Sequence, residues 1–224
     1  MKFIIAASLV AATSAFTTPS MNKASTALRV SSMDTNGWVP DESKFAFGLP
    51  GALAPVGEFD PLGLSKDVDL GTMKRYREAE VTHGRVAMAA VIGFLVQEAG
   101  FHPLFGTAGQ DIGAGIRHLD EVRAASPVFF EILALAIGAA EANRALNGWV
   151  KPGDADGWPG KLNDEYYPGD IGFDPLGLKP ADAEEFADMQ TKELQHGRLA
   201  MLAAAGFIAQ ELVNETPIIE NLFK

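Results

Sequence analysis

Residues 80–98 read EVTHGRVAMAAVIGFLVQE, and residues 193–211 read ELQHGRLAMLAAAGFIAQE. Eleven of the 19 aligned positions are identical, at a constant offset of 113. Upstream of each copy stands the same hexapeptide, FDPLGL, at Phe59–Leu64 and again at Phe173–Leu178, at an offset of 114. Chance does not produce such a match: the chain is a duplicated unit with something different between its copies. Both copies read as helix, because Ala, Leu, Met, Glu and Arg dominate, proline is absent and the runs exceed strand length.

Working outward, the sequence predicts three long helices at about 73–99, 126–147 and 183–213. The middle one begins near Pro127 and stops at Gly148, as helices with an N-terminal proline and a C-terminal glycine do. Gly100–Gly115 and Gly148–Gly172 are rich in glycine and proline and read as loops, with a short amphipathic surface helix at Ile116–Ala125 between them. Nineteen helical residues span about 28 Å, close to the hydrocarbon thickness of a bilayer. Against a membrane span, the uncharged apolar runs Val86–Gln97 and Leu199–Gln210 are only twelve residues long. Glu80, His83 and Arg85 would then lie at membrane depth, and their spacing explains how. Arg85 is five positions from Glu80, about 140° around the cylinder, which is not an intrahelical ion-pair spacing. Two such helices crossing symmetrically can exchange partners, Glu80 with Arg198 and Glu193 with Arg85, so that each pair is neutral in lipid. Ala87, Ala89, Ala90 and Gly93 facing Ala200, Ala203, Ala204, Ala205 and Gly206 would let the backbones approach. Trp38, Trp149 and Trp158 fall outside the helices, where interfacial anchors sit.

Composition narrows the function. The chain carries a formal charge of −11 and no cysteine. Nucleic-acid partners, disulfides, thiolate catalysis and zinc fingers are therefore set aside. Residues 1–15 have the form of a signal peptide, with Lys2, an apolar run and a small-residue exit. Residues 16–33 are Ser/Thr-rich, basic and acid-free, as transit segments are, and 34–224 form the remaining domain.

FDPLGL followed by a helix with ExxHGRxAM, twice, around a middle helix ending in ExxR, resembles the chlorophyll-binding light-harvesting superfamily. The resemblance runs from about Trp38 to Phe223. With His196 and the Ser14-Ala15-Phe16 junction, the chain is most similar to the fucoxanthin chlorophyll a/c proteins of diatoms and related algae. The resemblance implies an all-α, multi-pass protein of the plastid thylakoid membrane. Three transmembrane helices are expected, the first and third crossed, with short amphipathic surface helices. It implies axial ligands to chlorophyll magnesium at Glu80, His83, Glu141, Glu193, His196 and Gln210, with Gln97 in the equivalent place in the first copy. Arg85, Arg198 and Arg144 would be the counter-ions of the ligand carboxylates, and Gly84 and Gly197 would leave room for a flat ring. Phe59, Asp60, Pro61, Leu62, Phe173, Asp174, Pro175 and Leu176 match the family's carotenoid end-group pockets; by composition alone they are Pro/Gly turns whose Asp can cap the incoming chain. The cofactors implied are chlorophyll a, chlorophyll c and fucoxanthin or a related xanthophyll. The partners implied are thylakoid lipid, other antenna subunits and a photosystem core.

The function expected is light harvesting, without catalysis. A photoprotective, energy-quenching role on the same scaffold is the nearer alternative, with Asp111, Asp120 and Glu121 as acidic residues able to sense pH. A soluble di-iron carboxylate protein is the distant one: two Glu-x-x-His pairs plus Glu131 and Glu141 superficially match it. It needs four helices, whereas three are expected here and both extra acids share one. His102 and His118 read as surface imidazoles.

Overall fold

The computed structural model describes residues 36–99, 114–115, 118–154 and 160–222. The expected signal and transit segments, His102, Asp111 and Trp158 lie outside the described residues. The described chain is all-α apart from loops and isolated bridges: α1 (Leu70–Glu98), α2 (His118–Ala125), α3 (Phe129–Gly148), α4 (Ala183–Asn214) and α5 (Ile218–Leu222).

The helix boundaries follow from caps. Asp69 accepts from the backbone N–H of Thr72 and so starts α1 earlier than hydropathy suggested. Asp182 accepts from the N–H groups of Glu184 and Glu185, and two acids in the first turn favour the same helix end. These caps, not Asp60 and Asp174 of the hexapeptides, start the two repeat helices. α3 begins at Phe129 rather than at the residue before Pro127, which lies in the bend of 108° between α2 and α3. Gly148 is not a left-handed stop either. It is the last helical residue, and a Cβ there would meet the Tyr166 ring at 3.0 Å.

α1 and α4 cross at their midpoints. Gly84 and Gly197 are both buried there, and a Cβ on either would lie 3.0 Å from the other's Cα. Ala87 and Ala200, one turn further along, are also buried, while Ala89, Ala205 and Gly206 are exposed and take no part in the buried crossing. The expected small-residue seam is therefore narrower and centred on Gly84 and Gly197, whose lack of a side chain serves helix contact. Absence of a side chain lets the backbones touch, which sustains association where hydrophobic driving force is weak.

Among the described residues, α1 alone is long and apolar enough to cross a membrane by itself, with a mean hydropathy of 1.4 over its best window. α2 and α3 pass that test only together. α4 carries the same Glu and Arg, but has Ala204, Ala205 and Ala209 where α1 has Val91, Ile92 and Val96, which lowers its mean hydropathy.

Around the N-terminal ends of α1 and α4, Ala46, Leu49, Met73 and Tyr167 form a buried cluster, with Trp38 and Phe186 packed against it. Trp38 meets the Tyr167 ring edge-on at 5.8 Å and donates to the Phe47 carbonyl at 3.1 Å, so it packs inward rather than serving as a free interfacial anchor. By contrast, α3 is exposed from Glu131 to Asn143, including Leu135 at 76%. An apolar helix so exposed demands a non-aqueous neighbour.

Candidate pigment-binding site

The exchanged contacts form as the spacing requires. Arg85 Nε donates to Glu193 Oε1 at 2.7 Å, and Arg198 Nε donates to Glu80 Oε1 at 2.7 Å. Each guanidinium has a further acceptor: Arg85 donates to the Gly169 carbonyl at 2.9 Å, and Arg198 to the Gly51 carbonyl at 2.6 Å. Both carbonyls belong to Pro-Gly dipeptides, Pro50-Gly51 and Pro168-Gly169, with glycine φ of 122° and 85°. A side chain at Gly51 would strike Leu194 Cδ1 at 2.7 Å, and one at Gly169 would strike Val81 Cγ1 at 2.9 Å. Sequence reasoning missed these residues, although the repeated Pro-Gly ahead of each hexapeptide was the available signal.

His83 and His196 lie exposed on their helices. Their Nδ1 atoms sit 2.7 Å from the Ala79 carbonyl and 2.8 Å from the Lys192 carbonyl. A carbonyl only accepts, so a neutral imidazole must carry its proton on Nδ1 and present an Nε2 lone pair outward. That is the tautomer a metal requires, fixed by the hydrogen bond on the other nitrogen.

On α3, Arg144 donates to Glu141 Oε2 from Nε at 2.9 Å and from Nη2 at 2.6 Å. It also reaches Glu78 Oε1 on α1 at 3.1 Å. Glu78, 3% exposed, further accepts from the Tyr166 hydroxyl at 3.0 Å and the Gly169 N–H at 2.6 Å. This buried carboxylate ties α3 and the loop before α4 to α1. Sequence reasoning missed it, because its counterpart in the second copy is Thr191.

At the opposite ends of the crossed helices, His118 is buried, not at the surface, and its Nδ1 lies 2.5 Å from Gln97 Oε1. Gln210 is half-buried and Glu131 exposed. Repeat-related Glu98 and Glu211 hold neighbouring backbone: Glu98 accepts from the N–H groups of Ile218 and Ile219, and Glu211 from that of Gly115.

The hexapeptides are twin turns. Asp60 accepts from the N–H groups of Leu64 and Ser65, and Asp174 from those of Leu178 and Lys179. The Ser65 hydroxyl and N–H hold the Asp60 carboxyl below its ordinary range, and the Lys179 and Leu178 N–H groups do so for Asp174. Each Asp thus closes its own loop, leaving Phe59 and Leu62, and Phe173 and Leu176, at least 70% exposed.

These donors fit a chlorophyll. Its macrocycle supplies four nitrogens to magnesium and leaves an axial position for one oxygen or imidazole nitrogen. Separate single donors on outward apolar helix faces meet that need. Among the described residues no three His, Asp or Glu side chains gather as a bare metal ion or a di-iron pair would demand.

The family model for chlorophyll A-B binding protein matches residues 45–212. The chain belongs to this family. It is 48% identical over 189 residues to light-harvesting complex stress-related protein 3.2 of Chlamydomonas reinhardtii, covering 82% of this chain and 71% of that protein. It is 51% identical over 176 residues to a fucoxanthin-chlorophyll a-c binding protein of Isochrysis galbana, covering 76% and 79%. It is 36% identical over 195 residues to photosystem I chlorophyll a/b-binding protein 6 of Arabidopsis thaliana, covering 83% and 68%. As a member of this family the chain is a chlorophyll-binding, non-enzymatic protein of the chloroplast thylakoid membrane. Its fold is the family's three membrane helices, with α1 and α4 crossed and α3 to one side. Proteins of the family associate with photosystems.

Proposed function

We propose that the chain is a light-harvesting antenna subunit that binds chlorophylls a and c and a fucoxanthin-type xanthophyll and passes excitation to a photosystem. The observation that carries this is the reciprocal pair Arg85–Glu193 and Arg198–Glu80 at the crossing of α1 and α4. It neutralises four charges inside lipid and holds two carboxylates as axial donors. Glu141 with Arg144, the tethered His83 and His196, and Gln210 extend the ligand set, with Gln97 as the first-copy counterpart of Gln210. The exposed Phe and Leu of the hexapeptides offer apolar contacts to carotenoid end groups. Bound chlorophyll supplies light absorption and energy transfer; the protein fixes position, orientation and ligand identity. Antenna neighbours and a photosystem core are the partners this role requires. Purified protein is expected to carry chlorophyll a, chlorophyll c and xanthophyll, with energy transfer from xanthophyll to chlorophyll a in its excitation spectrum. Isolation with full folding but without tetrapyrrole would overturn the proposal.

Glu98 and Glu211 favour a second reading, energy quenching under acid. Glu98 accepts from the N–H groups of Ile218 and Ile219, and Glu211 from that of Gly115; Glu121 Oε2 is buried without a hydrogen-bond partner among the described residues. Protonation would weaken those contacts. Fluorescence lifetime of the pigmented protein at about pH 5.5 against about pH 7.5 separates the two roles, unchanged for a plain antenna and shortened for a quencher.

A further inference from the structure

The two repeat-related carboxylates do not have equal surroundings. Glu193 has one guanidinium partner, Arg85 on Oε1, and its Oε2 has no further partner among the described residues. Glu80 has two. Arg198 holds Oε1 at 2.7 Å, and Arg77, one helical turn back, lies with its Nε 3.3 Å from Oε2. Arg77 is 7% exposed and is fixed by a hydrogen bond to the Pro50 carbonyl, so it cannot swing away. Its counterpart at the repeat offset of 113 is Gln190, which carries no charge and accepts from the Tyr167 hydroxyl instead.

We propose that Arg77 ranks the two sites, making Glu80 the weaker magnesium donor and Glu193 the stronger. This rests on the carboxylates' role as magnesium ligands proposed above. An axial ligand gives an oxygen lone pair to the metal, and a guanidinium on that oxygen draws the same density toward itself. At Glu80 both oxygens are so engaged and the group of three charges sums to +1. At Glu193 one oxygen stays open and the pair is neutral. A cation beside a dication also opposes binding electrostatically, and low local dielectric strengthens the effect. The first-copy chlorophyll is therefore held less tightly and released earlier than its repeat-related partner.

The test is a detergent titration of the full pigmented protein, reading chlorophyll retained per polypeptide and the absorption bands lost. Two reference variants, R85L/E193L and R77Q/E80L/R198L, each delete a site with all its counter-ions and so mark the band of each pigment. In the wild type the band missing from R77Q/E80L/R198L should disappear before the band missing from R85L/E193L. The reverse order, or simultaneous loss, overturns the ranking. R77Q alone copies the second site and should slow loss of the Glu80 pigment about fivefold, the size of one close ion pair. R77K, which keeps the charge, should keep the wild-type order. Loss of order in R77K, or an unchanged order in R77Q, overturns the role of Arg77. Should R77Q not fold, the wild-type order still sustains or overturns the ranking. Full pigment in both reference variants is a different failure: the carboxylates would not be ligands at all.

Discussion

The two copies of the repeat share a motif but not a task. In the first, α1 carries buried Lys74, Arg77 and Glu78; the second has Ala187, Gln190 and Thr191 at those offsets. Lys74 holds the carbonyls of Asp164 and Tyr166 at 2.7 and 3.0 Å, Arg77 holds Pro50, and Glu78 holds Arg144, Tyr166 and Gly169. α1 is thus the frame on which the loops and α3 are hung. α4 meets α1 through the shared motif, sets Phe186 and Gln190 against Tyr167, and exposes apolar residues such as Leu199 and Leu202. Duplication created a symmetric clasp, and divergence at three nearby positions made one arm structural.

The comparison breaks most completely at what is common to both arms. Gly84→Leu or Gly197→Leu places a side chain where backbones now touch, and either should cost about 3 kcal/mol or more and abolish pigmented protein in reconstitution. The two ion pairs should then separate the copies. Arg85→Leu leaves Glu193 with no counter-ion and should cost about 3 kcal/mol, whereas Arg198→Leu leaves Glu80 with Arg77 and should be milder. Thermal denaturation of both variants checks this, and equal losses would erase the distinction between the arms. Glu78→Gln keeps the size but removes the charge facing Arg144. About 2 kcal/mol should be lost, read as a lower denaturation midpoint.

The smallest effect concerns Tyr167. Burial pushes its hydroxyl from 10.0 up to about 12, against the opposing influence of Arg77 and Gln190. Folding favours the neutral form, so this contribution is fully present below pH 10.0 and is lost as pH rises toward about 12. Tm should fall over that window, and Tyr167→Phe should show less of the fall.

Much of the clasp could be read without coordinates. A five-residue Glu-to-Arg spacing, kept in both copies, cannot close within one helix, and only a crossed partner satisfies it. The bend of 108° before α3, the inward packing of Trp38 and the burial of His118 could not be read this way. Each depends on which surfaces meet, and no local pattern encodes that. Gly84 and Gly197 stand out in the sequence for their small size, but a missing side chain does not say what fills the space, and each is filled by the other's backbone.

Duplication, helix positions and the partner exchange across the crossing followed from the order of residues alone, because periodicity and charge spacing are properties of a single chain. Tertiary structure decided the rest: that two glycines form the contact, that two Pro-Gly carbonyls grip the arginines, and that Arg77 and Glu78 distinguish the arms. Those roles arise from groups distant in sequence meeting in a medium too apolar to leave any of them unpaired.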